Sequence, residues 1–289
     1  MSRAISVVLD GYTYFECPRW RAGRIWVSDF YTHQVVSARP DGSDVRVEAI
    51  VPQQPSGLGW LPDGRLLVVS MRDRRVMRRE ADGTLVEHAD LSRHATGHAN
   101  DMVVDAAGRA YVGNFGFDLM GGGAVATADL VRVDPDGSVH VVARDLHFPN
   151  GMAITADGEL LVNETIGNRI SAFAIQPDGG LGDRRDWATF GPVPSAADVP
   201  TATQQIVVAP DGSCLAPDGS LWVADALGGR VVRVAGGAIV EQIQLDAGAF
   251  ACGLGGEDGQ TLFVCSAPDF NEHQRKLETR GRLLAVQLG

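Results

Sequence analysis

Basic charge is in short supply. Lys and Arg number 25 against 36 Asp and Glu in 289 residues, a formal net charge of −11. That balance argues against nucleic acid or an anionic membrane as partner and is compatible with cation binding. Cysteine is scarce too. Cys17, Cys214, Cys252 and Cys265 show no paired spacing, so reduced thiols are expected rather than a disulfide framework. No hydrophobic run approaches the length of a membrane span, and the first ten residues hold no stretch of signal-peptide length. A cytoplasmic protein is the expectation. The chain also lacks a Gly-x-Ser-x-Gly sequence, which weighs against a serine hydrolase with a nucleophile elbow.

Glycine, by contrast, is plentiful at 35 residues, and much of it is periodic. Gly23, Gly64, Gly108, Gly158, Gly219 and Gly259 each precede a short β-branched or aromatic run, at intervals of 40 to 61 residues. Each run predicts a strand joined by its turn to the strand before it. A second apolar segment follows every run, as in Arg169-Ile170-Ser171-Ala172-Phe173, and further turns lead to a fourth strand such as His140-Val141-Val142. Four short antiparallel strands repeated six times predict an all-β fold: a six-bladed β-propeller with four-stranded blades, one domain over 1–289. The sixth copy stops after its third strand, while residues 4–9 stand unpaired before the first copy. The N-terminal strand is therefore expected to complete the last blade and close the ring, leaving no open edge at the seam.

Counting seven or eight residues back from each turn glycine gives Glu16, Ser56, Asn100, Asn150, Asp211 and Cys252. Innermost propeller strands face a central channel, so these six should ring the axis at one face. Singly, each has an ordinary account. Asn150-Gly151 and Asp211-Gly212 are turn dipeptides, Asn100-Asp101 suits an Asx-turn, and Glu16 could be solvated. Brought together, two carboxylates would repel and resist ionising, a cost that a divalent cation removes. Oxygen donors suit a hard ion, Ca²⁺ first, then Mn²⁺ or Mg²⁺, with Zn²⁺ or Fe²⁺ behind them.

The motifs Glu16-Cys17-Pro18-Arg19-Trp20, Asn100-Asp101 with Val103-Val104-Asp105, Pro149-Asn150-Gly151, and Pro210-Asp211-Gly212 with Leu221-Trp222-Val223 recur in phase with the blades. In them the chain resembles the senescence-marker-protein/gluconolactonase (regucalcin-like) family, related to diisopropyl-fluorophosphatase. The resemblance implies a six-bladed propeller with one catalytic divalent metal held by Glu16, Asn150 and Asp211, with Asn100 a fourth ligand or a water-mediated contact. It also implies lactone hydrolysis, with Asp211 as general base and Glu16 holding the metal. The sugar lactonases carry an Arg where this chain has His98, and a Glu within the stretch that here reads 114–123 and is apolar and glycine-rich. A lactone or ester less polar than a sugar lactone is therefore expected. Asn100, His98, Arg19, Phe115 and Glu164 are the candidates for contacting it. Two alternatives stand: organophosphate hydrolysis with Asp211 as direct nucleophile, and a non-catalytic calcium-binding propeller. The expected partner is a small molecule, and the expected assembly a monomer or homodimer.

Two stretches exceed the repeat, 114–129 and about 183–208, and both should rise beside the oxygen ring as binding loops or a lid. Residues 267–273 should wall the same pocket. Second-strand ends at Asp29, Ser70, Asn114, Glu164 and Asp225 should reach this face, where some could orient ligands. Among the histidines, His98, His147 and His273 are candidate proton shuttles, His98 first.

Overall fold

The computed structural model describes residues 3–289, which form six four-stranded antiparallel sheets. The innermost strands are Phe15–Arg21, Pro55–Trp60, Ala99–Val104, Pro149–Ile154, Pro210–Leu215 and Gly248–Gly255. Each touches the next and the last touches the first, so the blades close around an axis. In five blades the strands pair in chain order. In the sixth, the N-terminal strand Ile5–Tyr12 lies outermost and pairs with Gly281–Gln287, Ile5 opposite Val286 and Val7 opposite Leu284. The expected ring closure is thus the one that forms.

Second strands are covered on both faces by neighbouring blades, which explains their unbroken apolar runs: every residue of Leu66–Ser70 and Leu221–Asp225 is buried. The outermost strands meet water, and Ala238–Gln244 is largely exposed. Side chains from adjacent sheets fill the seams. Between blades three and four, Tyr111, Leu130, Met152, Leu160, Val162 and Phe173 form one such cluster.

Register breaks near the start of every inner strand, and the breaks aim the axial residues. Asn100-Asp101, Asn150-Gly151 and Asp211-Gly212 each bulge between two regular strand pairs, and a bulge redirects a side chain. The glycines are there for close approach. A Cβ on Gly151 would lie 2.3 Å from the Asp211 carbonyl oxygen, and one on Gly212 would lie 2.4 Å from Ala251 Cβ. These Asn-Gly and Asp-Gly pairs are therefore strand residues at inter-blade contacts, not turns.

Two sequence expectations need correction. Cys252 is not on the axis. Its Sγ points into the seam between blades five and six, toward the carbonyls of Gly212 and Trp222. The irregularity in this strand falls between Ala249 and Ala251, further from the turn than in blade five, so a count from the glycine stops short and Phe250 holds the axial place. The second insertion also starts later than residue 183, because Arg185–Thr189 is the outer strand of blade four. The segment beyond that strand contains helix α1 (Val199–Gln204), capped by Asp198, whose Oδ1 accepts the Thr201 N–H at 2.9 Å. Asn168 fastens this segment: its Nδ2 donates to the carbonyls of Pro192 (2.8 Å) and Gln205 (3.0 Å), and its Oδ1 accepts the Val207 N–H (2.7 Å). The Val125 N–H donates to the Ala197 carbonyl at 2.7 Å, which ties the two insertions together. Helix α2 (Glu272–Leu277) lies in the last loop of blade six. Among the described residues no helix is long and apolar enough to cross a membrane, and all four cysteines are free.

Candidate metal centre

Glu16, Asn100, Asn150 and Asp211 come together at the base of one pocket. They arrive from four different blades and are 7%, 6%, 5% and 6% exposed, so water can do little for either carboxylate. Neither carboxylate joins an ion pair among the described residues. The one near donor to Glu16 is the Cys17 N–H, 3.3 Å from Oε2. Burial pushes the Glu16 carboxyl well above its ordinary range, and the charges of Asp211 and then Asp101 push it further. Asp211 is raised in the same way, by burial first and Asp101 next. The two amides are held from behind. Ser56 Oγ donates to Asn100 Oδ1 at 3.2 Å, and Asn150 Nδ2 donates to Thr165 Oγ1 at 3.1 Å.

Among the described residues no group of three or more His, Cys, Asp or Glu side chains is arranged to hold a metal ion. The donor set here is different in kind: two carboxylates and two neutral amides, all oxygen. Buried acidic groups without a counter-charge, beside amide oxygens already oriented, fit a hard divalent cation.

Above this floor the pocket has a volume of ≈ 100 Å³ and mostly apolar walls. Tyr14, Phe30, Phe115, Phe148 and Phe250 surround it. The Phe115 and Phe148 rings sit 4.5 Å apart, those of Tyr14 and Phe250 4.8 Å. Leu119 and Met120 from the blade-three insertion, Val199, Thr203 and Ile206 from the α1 segment, and Phe270 complete it. Both insertions therefore do rise beside the oxygens, and the 267–273 stretch does reach the wall.

The other sequence candidates fall elsewhere. Phe115 lines the pocket; Arg19, His98 and Glu164 do not. His98 packs behind Phe115 with its ring 5.6 Å away, and its Nδ1 is buried without a partner. Burial first, then Arg72, lowers its pKa and keeps it neutral. Glu164 is fully buried and anchors the loop before Asn150. It accepts the His147 N–H at 2.8 Å and Arg169 Nε at 2.9 Å, with Ser171 as a further donor. Burial opposes its charge, but the hydrogen bonds from His147, Arg169 and Ser171 win and hold its pKa at about 2. Asp29 and Asp225 play the same part. Asp29 accepts the N–H of Tyr14 at 2.7 Å, and Asp225 that of Ala209 at 3.0 Å. Three second-strand ends thus fix the segment leading into an axial residue: Asp29 before Glu16, Glu164 before Asn150 and Asp225 before Asp211. Arg19 turns away from the pocket and pairs with Asp101, 2.7 Å from its Oδ1. Tyr14 and Phe148, each two residues before an axial head, were missed: Phe148 reaches the wall through a left-handed backbone (φ 60°) that spacing does not mark, and His98, at the same offset from Asn100, does not line the pocket.

Residues 15–268 match the family described as SMP-30/Gluconolactonase/LRE-like region. The chain belongs to that family. Among its relatives, the 6-deoxy-6-sulfogluconolactonase of Pseudomonas putida is 27% identical over 264 residues, covering 87% of this chain and 82% of the relative. Regucalcin of Danio rerio is 28% identical over 226 residues, 76% of this chain and 68% of the relative. A solved gluconolactonase from Xanthomonas campestris superposes with a TM-score of 0.75 at 25% identity, covering 99% of this chain and 90% of that one.

Proposed function

We propose that this family member is a divalent-cation-dependent hydrolase that opens a lactone ring, acting on a substrate less polar than a sugar lactone. The carrying observation is the joining of a buried all-oxygen floor to an apolar pocket. Relatives named as lactonases support the reaction class. Glu16, Asn150 and Asp211 would hold the ion, Ca²⁺ first, with Asn100 beside them. Bound there, a cation would polarise the ester carbonyl and favour the developing oxyanion. Asn100 and Asn150 contribute oxygen without charge, so the donor set carries no more negative charge than its two carboxylates bring. Asp211 takes the proton of the attacking water on a carboxylate oxygen and Glu16 holds its position. The aromatic walls exclude other water. Besides the floor, they offer substrate hydroxyls little more than Tyr14, Tyr31, Thr165 and Thr203, and each hydroxyl buried unpaired costs about 1–3 kcal/mol. The free cysteines fit a reducing, cytoplasmic setting.

The test is acid release in weak buffer by cation-stripped protein, with Ca²⁺, Mn²⁺, Mg²⁺, Zn²⁺ or Fe²⁺ restored singly. Sugar lactones, alkyl lactones, aryl esters and a phosphotriester are offered in turn. Cation-dependent opening of alkyl lactones, with kcat/KM at least ~10-fold above gluconolactone, is the expected result. Hydrolysis confined to the phosphotriester, or none with any cation, would overturn it.

A further inference from the structure

Arg19 and Asp101 form a contact between inner strands that the proposed reaction does not use. Arg19 belongs to the inner strand of blade one and Asp101 to that of blade three, so the pair reaches past the whole of blade two. Blade two makes room for it. Its inner strand reads Pro55-Ser56-Gly57-Leu58-Gly59-Trp60, with serine at the axial place. A Cβ on Gly57 would meet Met102 N at 2.5 Å, and one on Gly59 would meet Val104 Cγ2 at 2.3 Å. The two glycines let blade three come close enough for Arg19 to span.

The contact is a built one. Arg19 Nη2 donates to Asp101 Oδ1 at 2.7 Å and to the Met102 carbonyl at 3.0 Å, while Nη1 donates to the carbonyl of its neighbour Pro18 at 3.2 Å. Asp101 is 2% exposed. Its Oδ1 also accepts the Met102 N–H at 2.8 Å, and its Oδ2 is buried with no hydrogen-bond partner. Along blade one's strand, Glu16 lines the candidate metal pocket and Trp20 lines a cavity on the opposite face. Arg19 lies between them along the strand.

We infer that Arg19 and Asp101 set the charge of the cation site: the guanidinium cancels one of three buried carboxylates, Glu16, Asp101 and Asp211, and leaves the two negative charges that a divalent ion balances. This rests on the cation site proposed above. The pair acts as a positioning device and touches no substrate. Charges a few ångströms apart in a medium of low dielectric interact strongly, so losing either partner should act on the ion, with opposite sign. Without Arg19 the floor carries one negative charge too many for a divalent ion and favours a trivalent one. Without the Asp101 charge it carries one too few and holds a divalent ion poorly. A structural role alone would make both losses act in the same direction.

Calorimetric titration with Ca²⁺ and with Tb³⁺, on wild type, Arg19→Met, Asp101→Asn and the double variant, separates these cases. R19M should raise the affinity ratio of Tb³⁺ to Ca²⁺ by ~10-fold or more, and D101N should weaken Ca²⁺ by about as much. The double variant, neutral at both positions, should lie within ~3-fold of wild type. If R19M is insoluble, the comparison of D101N with the double variant carries the test, because removing Arg19 should then restore Ca²⁺ binding. A ratio unchanged in R19M, an equal loss in both single variants, or no recovery in the double variant would overturn the inference and leave the cation site standing. Wild type that binds neither ion would overturn the site and the inference with it.

Discussion

Asp211 and Glu164 are both buried carboxylates, and their surroundings push them in opposite directions. Asp211 has no counter-charge, and burial raises its pKa. Asp211→Asn should lower kcat by at least ~100-fold. Yet the cation-free variant should melt higher than cation-free wild type at pH 8, since an isosteric amide replaces an uncompensated charge. A cation-free melting point that falls would contradict this account. Glu164 is held at about 2, against an unfolded value near 4.3. Its contribution is therefore complete above the unfolded value and is lost as the pH falls through the folded one. That gap is worth on the order of 3 kcal/mol. Glu164→Gln should lose most of it at pH 7 and show a flatter stability profile between about pH 4.5 and 2 in denaturant titrations. Its cation affinity should fall as well, because Glu164 accepts the His147 N–H that anchors the loop before Asn150; an affinity equal to wild type would mean that this anchor does not set the position of Asn150.

At the scale of elements, the blade repeat could be read because a turn glycine followed by an unbroken apolar run has one outcome when both faces of the strand are covered. The axial residues could be read by counting from that turn wherever the bulge sits at the common place. Counting failed at Cys252 because the irregularity in Gly248–Gly255 is shifted, and nothing local to the sequence marks such a shift. Arg19 and Glu164 were placed on the substrate side because they neighbour the right motifs. Their partners, Asp101 two blades away and Arg169 on the next strand, are tertiary facts that spacing does not contain. The insertions were visible as excess length, but their apolar roofing was not. Leu119 and Met120 on one insertion and Ile206 on the other line the pocket. Replacing Leu119 and Met120 with serine should cut kcat/KM for an alkyl lactone by about 10-fold and leave gluconolactone within ~3-fold, by initial-rate kinetics. Equal loss on both substrates would show that the loop serves folding rather than selection.

For the whole molecule, the four candidate donor residues come from blades one, three, four and five, so a bound cation would add a tie among sheets that meet through apolar seams and a few polar contacts such as Arg19–Asp101 and Ser56–Asn100. The stability of the ring should then depend on pH and cation together. In the cation-free protein Glu16 and Asp211 are raised above their unfolded values. Carboxyl groups shifted in that direction favour the folded state fully at low pH, and the benefit drains away as pH rises through the folded values. A saturating cation keeps both ionised and paired, which removes the loss. His88 and His98 are lowered, chiefly by burial, and so add stability with rising pH, but they do so with or without the ion and cancel in the difference. The quantity to measure is therefore the gap in Tm between Ca²⁺-loaded and Ca²⁺-stripped protein. It should widen as pH rises above the ordinary carboxylate range. At a free ion concentration near 100 Kd it should reach about 5 °C, from roughly 2.7 kcal/mol of linkage spread over a chain of this size. In Glu16→Gln with Asp211→Asn the gap should close at every pH. A gap that stays constant with pH would mean that the ion binds elsewhere, away from this pair of carboxylates.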